Sequence, residues 1–406
     1  MTTNFDELLN ELSAQSDPQF DLIDDSQNGL YIGIMSGTSL DALDLVLCQF
    51  NDDDGLKVDL IATHSKDFPK ELHQILIALC TPNGTNALAQ GEFEKFSELD
   101  FWGLASRLYG ELSAQAVTEL IEKASILPDE VVAIGIHGQT VRHRPEWRFS
   151  LQLLDPNILA ERTGITVVSD FRRRDMAVGG QGAPLVPAFH QAMFHVKHDN
   201  NSQTVVLNLG GIANITVLGD EVIGYDTGVA NLLMDGWTAR HLGKNYDKNG
   251  DWARGGKIDE PLLNELLKHS FLSQPAPKST GREDFNLKWL DSILTNFDTS
   301  PQDAQATLCE FTALTAGREI GKFSKQINHL YVCGGGAYNG LLLERLQTHL
   351  PTWHINTTDS VGLAPTWVES VCFAWLARQT ILGQPANLPS VTGADKGVVL
   401  GVVCFG

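Results

Sequence analysis

Two short glycine-bearing hairpins, one opening near Tyr31 and one near Val205, constrain this chain more than any other feature. Each is an apolar run, a turn of small residues and a second apolar run, the pattern of two antiparallel strands. Residues 30–35, the loop 36–41, residues 43–50 and residues 56–63 predict a three-strand meander. Residues 204–209, 212–218 and 222–225 predict another, with Tyr31 and Val205 standing 174 positions apart. Helical spacing follows each meander. In the first half it covers 69–80 and a longer segment carrying Phe101, Leu104, Leu108, Leu112, Ala116 and Leu120. A strand at 131–136, a helix at 157–163 and a strand at 165–169 complete that half. The second half gives helices at 230–242 and 302–323, a strand at 330–333, a helix at 339–350, a strand at 354–356 and a helix at 368–382. Residues 243–299 interrupt the pattern as a loop-rich insertion.

The fold expected is α/β: two similar lobes, each a duplicated βββαβα-type unit, with ligands in the inter-lobe cleft. Residues 29–200 with a C-terminal return of about 384–406 form the first lobe, and 201–383 the second. Residues 1–28 are an acidic extension in which Phe5, Leu8, Leu9 and Leu12 suit one short amphipathic helix. Charge limits the partners. The 406 residues carry 29 Lys+Arg against 50 Asp+Glu, a net charge of −21, which argues against nucleic acid or an anionic membrane. The sequence has no apolar run long enough to span a bilayer and no signal-peptide pattern at its start. Six scattered cysteines without a C-x-x-C pair read as free thiols in a reducing compartment, so a cytoplasmic protein is expected. A homodimer stays open.

Six motifs carry the candidate chemistry. Gly37, Thr38, Ser39, Leu40, Asp41, Ala42, Leu43 and Asp44 join two strands through a turn whose N–H and hydroxyl groups suit an anion, and Asp41 or Asp44 suits Mg²⁺. An ordinary turn explains the same residues, and no Gly-Lys-Ser/Thr follows, so this is not a P-loop. Asn208, Gly210 and Gly211 form the equivalent loop of the other half. Asp226 and Asn231, in Tyr-Asp-Thr-Gly-Val-Ala-Asn, suit either a metal or a helix cap. Gly334, Gly335 and Gly336 clear a strand–helix junction for a flat ring or ribose. Residues 170–185 place Asp175 behind Arg172, Arg173 and Arg174 in a glycine-rich loop, suiting a general base beside an anionic substrate or a salt-bridge cluster. Beside it belong His137, Gln139, Thr140 and His143. In the insertion, Lys278 and Arg282 suit a carboxylate or phosphate, or simply solvent.

Together these segments resemble the anhydro-N-acetylmuramic acid kinase family of the sugar kinase/Hsp70/actin-like superfamily. The matching pieces are MSGTSLDALD at 35–44, HGQT at 137–140, DFRRRDMAVGGQGAPLVP at 170–187 and NLGGIANIT at 208–216. YDTGVAN at 225–231, PKSTGRE at 277–283, VCGGGAYN at 332–339 and VTGAD at 391–395 follow in order. Ala42 stands where that family usually has Gly, and Val229 where it usually has Pro. The resemblance implies ATP and Mg²⁺ as cofactors, an amino-sugar substrate, hydrolytic opening of a 1,6-anhydro ring and phosphorylation of O6. It implies that residues 37–44, Asn208, Gly210, Gly211 and Gly334–Gly336 bind ATP and that Asp175 is the base. His137, Gln139, Thr140, Arg172, Gly180 and Gln181 are then the sugar contacts, with Asp41 and Asp226 toward the metal. Two rivals are an ordinary sugar kinase and a nucleotide-gated regulatory protein of the same superfamily.

Overall fold

The computed structural model describes residues 29–37, 40, 42–52, 55–194 and 201–406. The helix expected within 1–28 lies outside these residues, as do Thr38, Ser39 and Asp41. The first lobe is built on strands β1 (Leu30–Ser36), β2 (Ala42–Asn51), β3 (Lys57–Asp67), β4 (Val131–Ile136) and β7 (Val167–Ser169), extended by β13 (Val402–Cys404). Their order is β13-β7-β4-β1-β2-β3. The second is built on β8 (Ser202–Leu209), β9 (Ile212–Leu218), β10 (Ile223–Val229), β11 (Ile327–Cys333) and β12 (Trp353–Thr357), in the order β10-β9-β8-β11-β12. Setting β13 aside, both sheets run third, second, first, fourth, fifth in order of appearance. The antiparallel hairpin and parallel crossovers recur as the paired hairpins predict.

Local chemistry explains the elements. The helix Glu98–Ala124 starts on a capping box between Ser97 and Asp100 and stops at Ser125 in the left-handed conformation. Its Phe101, Ala105, Tyr109, Leu112, Ala116 and Leu120 are buried in the first-lobe core with Ile32, Ile34, Leu43 and Leu45. β3 alternates exposed and half-buried residues and carries Lys57, Asp59 and Lys66, as a sheet edge requires. Two segments depart from the expected pattern. A two-stranded hairpin of β5 (Gln139–Arg144) and β6 (Phe149–Leu153) follows β4. The segment carrying Asp175 is the helix Phe171–Ala177 rather than a loop.

The insertion is more ordered than its polar sequence suggests. It contributes the helices Glu260–Leu266 and Leu287–Leu294, and Leu262, Leu263, Leu266, Phe271, Phe285 and Leu290 enter the second-lobe core. The helix Val368–Ile381, which follows the second sheet in sequence, packs on the first. Gly33 and Gly135 face each other in register on β1 and β4. A Cβ on Gly33 would stand 1.8 Å from the Ser370 carbonyl oxygen, and one on Gly135 1.9 Å from that of Phe373. Only glycine admits the helix backbone at that depth. Val371, Phe373 and Leu376 of this helix join Val46 and Phe50 of the first lobe and Val206 and Cys333 of the second in a third core. The two sheets are thus welded through one helix.

Candidate active site

The β8–β9 hairpin is fixed by the helix Asn231–Leu242. The N–H groups of Ala230 and Leu232 donate to the Gly211 carbonyl at 3.0 and 3.2 Å, and that of Asn231 to Gly210 at 3.0 Å. Asn231 Nδ2 donates to the Leu209 carbonyl at 2.8 Å. Asn231 is therefore a brace for the loop; Ala230 holds the cap position, with no side-chain cap. The triple glycine divides into two roles. A Cβ on Gly334, whose φ is +80°, would lie 2.5 Å from Asn208 Oδ1, and one on Gly336 2.6 Å from Leu209 Cβ. The hairpin itself imposes those two glycines. Gly335 is exposed, and the nearest atom to a Cβ there is 4.0 Å away.

In the described part of the β1–β2 segment, Gly37, Leu40 and Asp44 have fixed partners. The Leu40 N–H donates to the Gly37 carbonyl at 3.2 Å, and Leu40 and Leu43 are buried beneath the turn. Asp44 accepts the Ser65 hydroxyl on Oδ1, while its carbonyl accepts Ser370 Oγ at 2.9 Å. Next to Ser370 on the same helix, Glu369 stands between Asp44 of the first lobe and Asn208 of the second. Asn208 Nδ2 donates to its Oε1 at 3.2 Å. Burial raises the Glu369 carboxyl above the ordinary carboxylate range, Asn208 and Arg172 oppose that rise, and the Asp44 charge adds to it.

Asp175 is wholly buried. Its Oδ1 accepts Asn387 Nδ2 at 2.7 Å and Thr392 Oγ1 at 2.8 Å, and its Oδ2 accepts the Gly182 N–H at 2.8 Å. Gly180 lies against the carboxylate so closely that a Cβ would be 2.1 Å from Oδ2. The Arg172–Arg174 run does not fence it as the sequence suggests. Helical spacing turns Arg173 and Arg174 to solvent, and Arg173 pairs with Asp170 on the helix's first turn. Arg172 alone turns inward. Its Nε donates to His137 Nε2 at 3.0 Å and its Nη1 to the Gly182 carbonyl at 2.8 Å. Burial lowers it to about 10, still a cation at neutral pH.

Because Nε2 of His137 accepts from Arg172, the ring proton sits on Nδ1, a buried atom with no hydrogen-bond partner. Burial, then the Arg172 charge, push this histidine well below its ordinary 6.5, against a small pull from the Gly138 backbone. It is a neutral donor. It lines a cavity of about 300 Å³ at the C-terminal ends of β4 and β7, with Trp102, Gln152, Leu154, Asp170 and Arg173. Gln139 and Thr140 are not among the lining residues. Gln139 Oε1 accepts Ser36 Oγ at 2.7 Å, and Thr140 Oγ1 accepts Gln152 Nε2 at 3.1 Å. His143 is bonded to Ser150 Oγ at 3.0 Å and lowered by burial to about 4. Gln181 gives its N–H to the Thr392 carbonyl at 2.8 Å.

A family profile described as anhydro-N-acetylmuramic acid kinase matches residues 29–406. The chain belongs to the anhydro-N-acetylmuramic acid kinase family. Proteins of that name from Psychrobacter cryohalolentis and Shewanella baltica are 56% and 47% identical to it. The first alignment covers 93% of this chain and 95% of the relative, the second 92% and 98%. Among solved structures, component A of the Acidaminococcus fermentans (R)-2-hydroxyglutaryl-CoA dehydratase aligns with 87% of this chain and 99% of its own. Its TM-score of 0.43 and 11% identity make that a distant likeness, which assigns no activity. Membership makes this chain a kinase, and the nucleotide and sugar candidates divide between the hairpins and the region behind β4.

Asp226 is half-buried and Lys278 buried, and both are hydrogen-bonded. Asp226 Oδ2 accepts Ser279 Oγ and the Thr280 N–H, both at 2.9 Å, and so anchors the insertion. Lys278 is buried, 3.1 Å from Glu319 Oε1 and 4.8 Å above the Phe271 ring, so it holds the lobe together instead of meeting a ligand. Burial raises the Cys80 thiol, and the Arg142 and Arg282 charges oppose that rise. Among the described residues no three His, Cys, Asp or Glu side chains gather as a metal cluster. Three site residues escaped the sequence reading: Glu369, Asn387 and Thr392. Thr392 lay inside a matched motif, Val-Thr-Gly-Ala-Asp, that had no assigned role.

Proposed function

We propose that this kinase opens the 1,6-anhydro ring of 1,6-anhydro-N-acetylmuramic acid with water and phosphorylates the freed O6 from ATP. The products are N-acetylmuramic acid 6-phosphate and ADP, a step in recycling of bacterial cell-wall sugar in the cytoplasm. The Asp175 carboxylate carries the reading. A carboxylate has about four acceptor positions, of which three are filled here, two on Oδ1 and one on Oδ2. Water attacks the anomeric carbon as that proton passes to Oδ2; the bond from that carbon to O6 breaks, and O6 takes the γ-phosphoryl. The unpartnered Nδ1–H of His137 supplies a donor to the sugar from the cavity wall, and Arg172 fixes its tautomer.

The nucleotide falls to the two hairpins and to Gly335, whose exposed backbone suits the nucleoside. Positioning and charge neutralisation are the main demands of phosphoryl transfer. Mg²⁺ suits the oxygen donors of Asp44 and Glu369, whose mutual repulsion a divalent cation would relieve. When bound, it neutralises phosphate charge. An ordinary sugar kinase would instead use Asp175 to deprotonate a hydroxyl already present. Turnover in ¹⁸O-water separates the two. Hydrolytic opening puts one solvent oxygen on C1 of the phosphorylated product; a product with none overturns the reading.

A further inference from the structure

We infer that Tyr338 is the wall on which the nucleoside of ATP rests, and that the insertion, through Asn249, holds the turn presenting it. This rests on the reading of Gly335 as nucleotide surface. Gly335 and Tyr338 are the first and last residues of one 3₁₀ turn, Gly335–Tyr338. Positions three apart in such a turn eclipse, so the tyrosine ring stands beside the bare face of the glycine. Gly336 and Ala337, between them, are buried. Gly335 and Tyr338 are both exposed, the tyrosine by 53%. A purine is flat and apolar on both faces. An aromatic ring beside open backbone offers it a stacking surface with no neighbouring side chain in the way.

The turn is fixed at both ends. Before it, the Gly334 N–H donates to the Pro365 carbonyl at 2.9 Å. After it, Asn339 Oδ1 accepts the Leu342 N–H at 3.1 Å and caps the helix Gly340–His349. The insertion meets that cap. Asn249 Oδ1 accepts the Gly340 N–H at 3.2 Å, a first-turn donor that the helix itself leaves unpaired. A Cβ on Gly250 would stand 2.5 Å from Asn339 Oδ1 and 2.7 Å from Leu341 Cβ. Both insertion residues are left-handed, with φ of +58° at Asn249 and +69° at Gly250. Asparagine is among the few side chains that tolerate this conformation, and it supplies an acceptor as well. Asp247 pins the other side of the loop. Its Oδ1 and Oδ2 accept the Trp252 and Ala253 N–H groups, each at 2.9 Å, and Ala253 belongs to the second-lobe core. Residues 247–253 thus carry the rigidity of that core to the turn bearing Tyr338. Asn249 is a positioning residue, acting on the nucleoside through Gly340 and the turn before it.

The test compares Tyr338→Ala, Tyr338→Phe, Asn249→Gly and Gly335→Val in the full chain, by ADP release with 1,6-anhydro-N-acetylmuramic acid and by thermal melting. Tyr338→Ala should raise KM for ATP about 5- to 100-fold, the range found when a base loses its aromatic platform. Its kcat and sugar KM should stay within threefold and its melting temperature unchanged. Tyr338→Phe keeps the ring and should stay within threefold of the wild-type KM. Asn249→Gly keeps the left-handed backbone and removes the acceptor. It should raise KM for ATP several-fold at unchanged kcat, and by less once Tyr338 is alanine, because both act on one contact. A merely structural asparagine would lower the melting temperature and leave KM for ATP where it was, which overturns its positioning role. Unchanged KM in Tyr338→Ala beside a raised KM in Gly335→Val overturns this inference alone. Unchanged KM in both overturns the nucleotide reading of the turn as well. Should Asn249→Gly fail to fold, the Tyr338 variants, at an exposed position, still decide the inference.

Discussion

Asp175→Asn is the sharpest perturbation, and the structure shows that it is not a silent isostere. The carboxylate accepts from Asn387, Thr392 and Gly182. An amide can keep its oxygen toward Asn387 and Thr392 only by turning its NH₂ onto the Gly182 N–H, donor against donor. One buried hydrogen bond is lost and one donor stranded, at a cost of about 1–3 kcal/mol in stability. Separately, removing a general base costs about 10²- to 10⁴-fold in rate, or roughly 3–5 kcal/mol of transition-state stabilisation. The two effects are measured apart. Thermal melting should fall by a few degrees, kcat from coupled ADP release by at least 10²-fold, and affinity for a non-hydrolysable ATP analogue should stay within threefold. The last follows because no bond of Asp175 reaches either hairpin. A kcat within threefold of wild type would refute the assignment; lost nucleotide affinity with intact kcat would move Asp175 to the nucleotide side.

Gly33→Ala should lower stability by at least about 1–3 kcal/mol, since its Cβ meets helix backbone at 1.8 Å and backbone cannot step aside; an unchanged melting curve would count against the welded packing. Gly335→Val, with open space above it, should leave melting unchanged and raise KM for ATP several-fold, and an unaltered KM would remove Gly335 from the nucleotide surface. Turnover should cease in excess EDTA and return with Mg²⁺; undiminished turnover would refute the cation requirement. Acid should destabilise the fold through His190, which is buried, bonded to Thr216 Oγ1 at 2.8 Å and lowered from 6.5 to about 3 by burial. The unfolded chain binds that proton more readily, so the contribution is complete above pH 6.5 and drains toward pH 3, by up to about 1.4 kcal/mol per unit. Urea midpoints measured at pH 7.5 and 5 should show it, and a His190→Gln chain that keeps the whole slope would show that other groups carry it.

The repeat of hairpin, helix and parallel strand was legible because it is written in period: apolar runs of strand length, small residues between them, and three- and four-residue spacing after. His137 was legible at a strand end, whereas Asp175, read as part of a glycine-rich loop, lies on a helix. What sequence could not supply was the direction of side chains across long separations. Arg172, Arg173 and Arg174 look equivalent in the chain, yet helical spacing sends one inward and two outward. Lys278 resembles a phosphate ligand until Glu319 is seen beside it. Gly334 and Gly336 read as room for a ring, whereas Leu209 fills that room. The strands β5 and β6 were missed because His143, Arg144 and the exposed Phe149 and Leu151 blur the alternation. Thr392 and Asn387 belong to a tail whose partner lies far upstream, and no local pattern announces that.

Arg172 links the cavity, the Asp175 loop and Glu369, the groups the proposed reaction assigns to its two steps. Its Nε fixes the tautomer of His137 at the cavity, and its Nη1 holds the Gly182 carbonyl, whose own N–H bonds Asp175. Its charge reaches Glu369, which Asn208 holds at the nucleotide hairpin. A guanidinium can do this because its donors diverge in a fixed plane and stay charged even when burial lowers it to about 10. Lysine, a single point on a flexible stem, could serve one of these directions at a time. His137, the Asp175 loop and Glu369 are therefore referenced to one rigid group. If the proposed reaction holds, ring opening and phosphoryl transfer meet a single geometric condition instead of two independent ones.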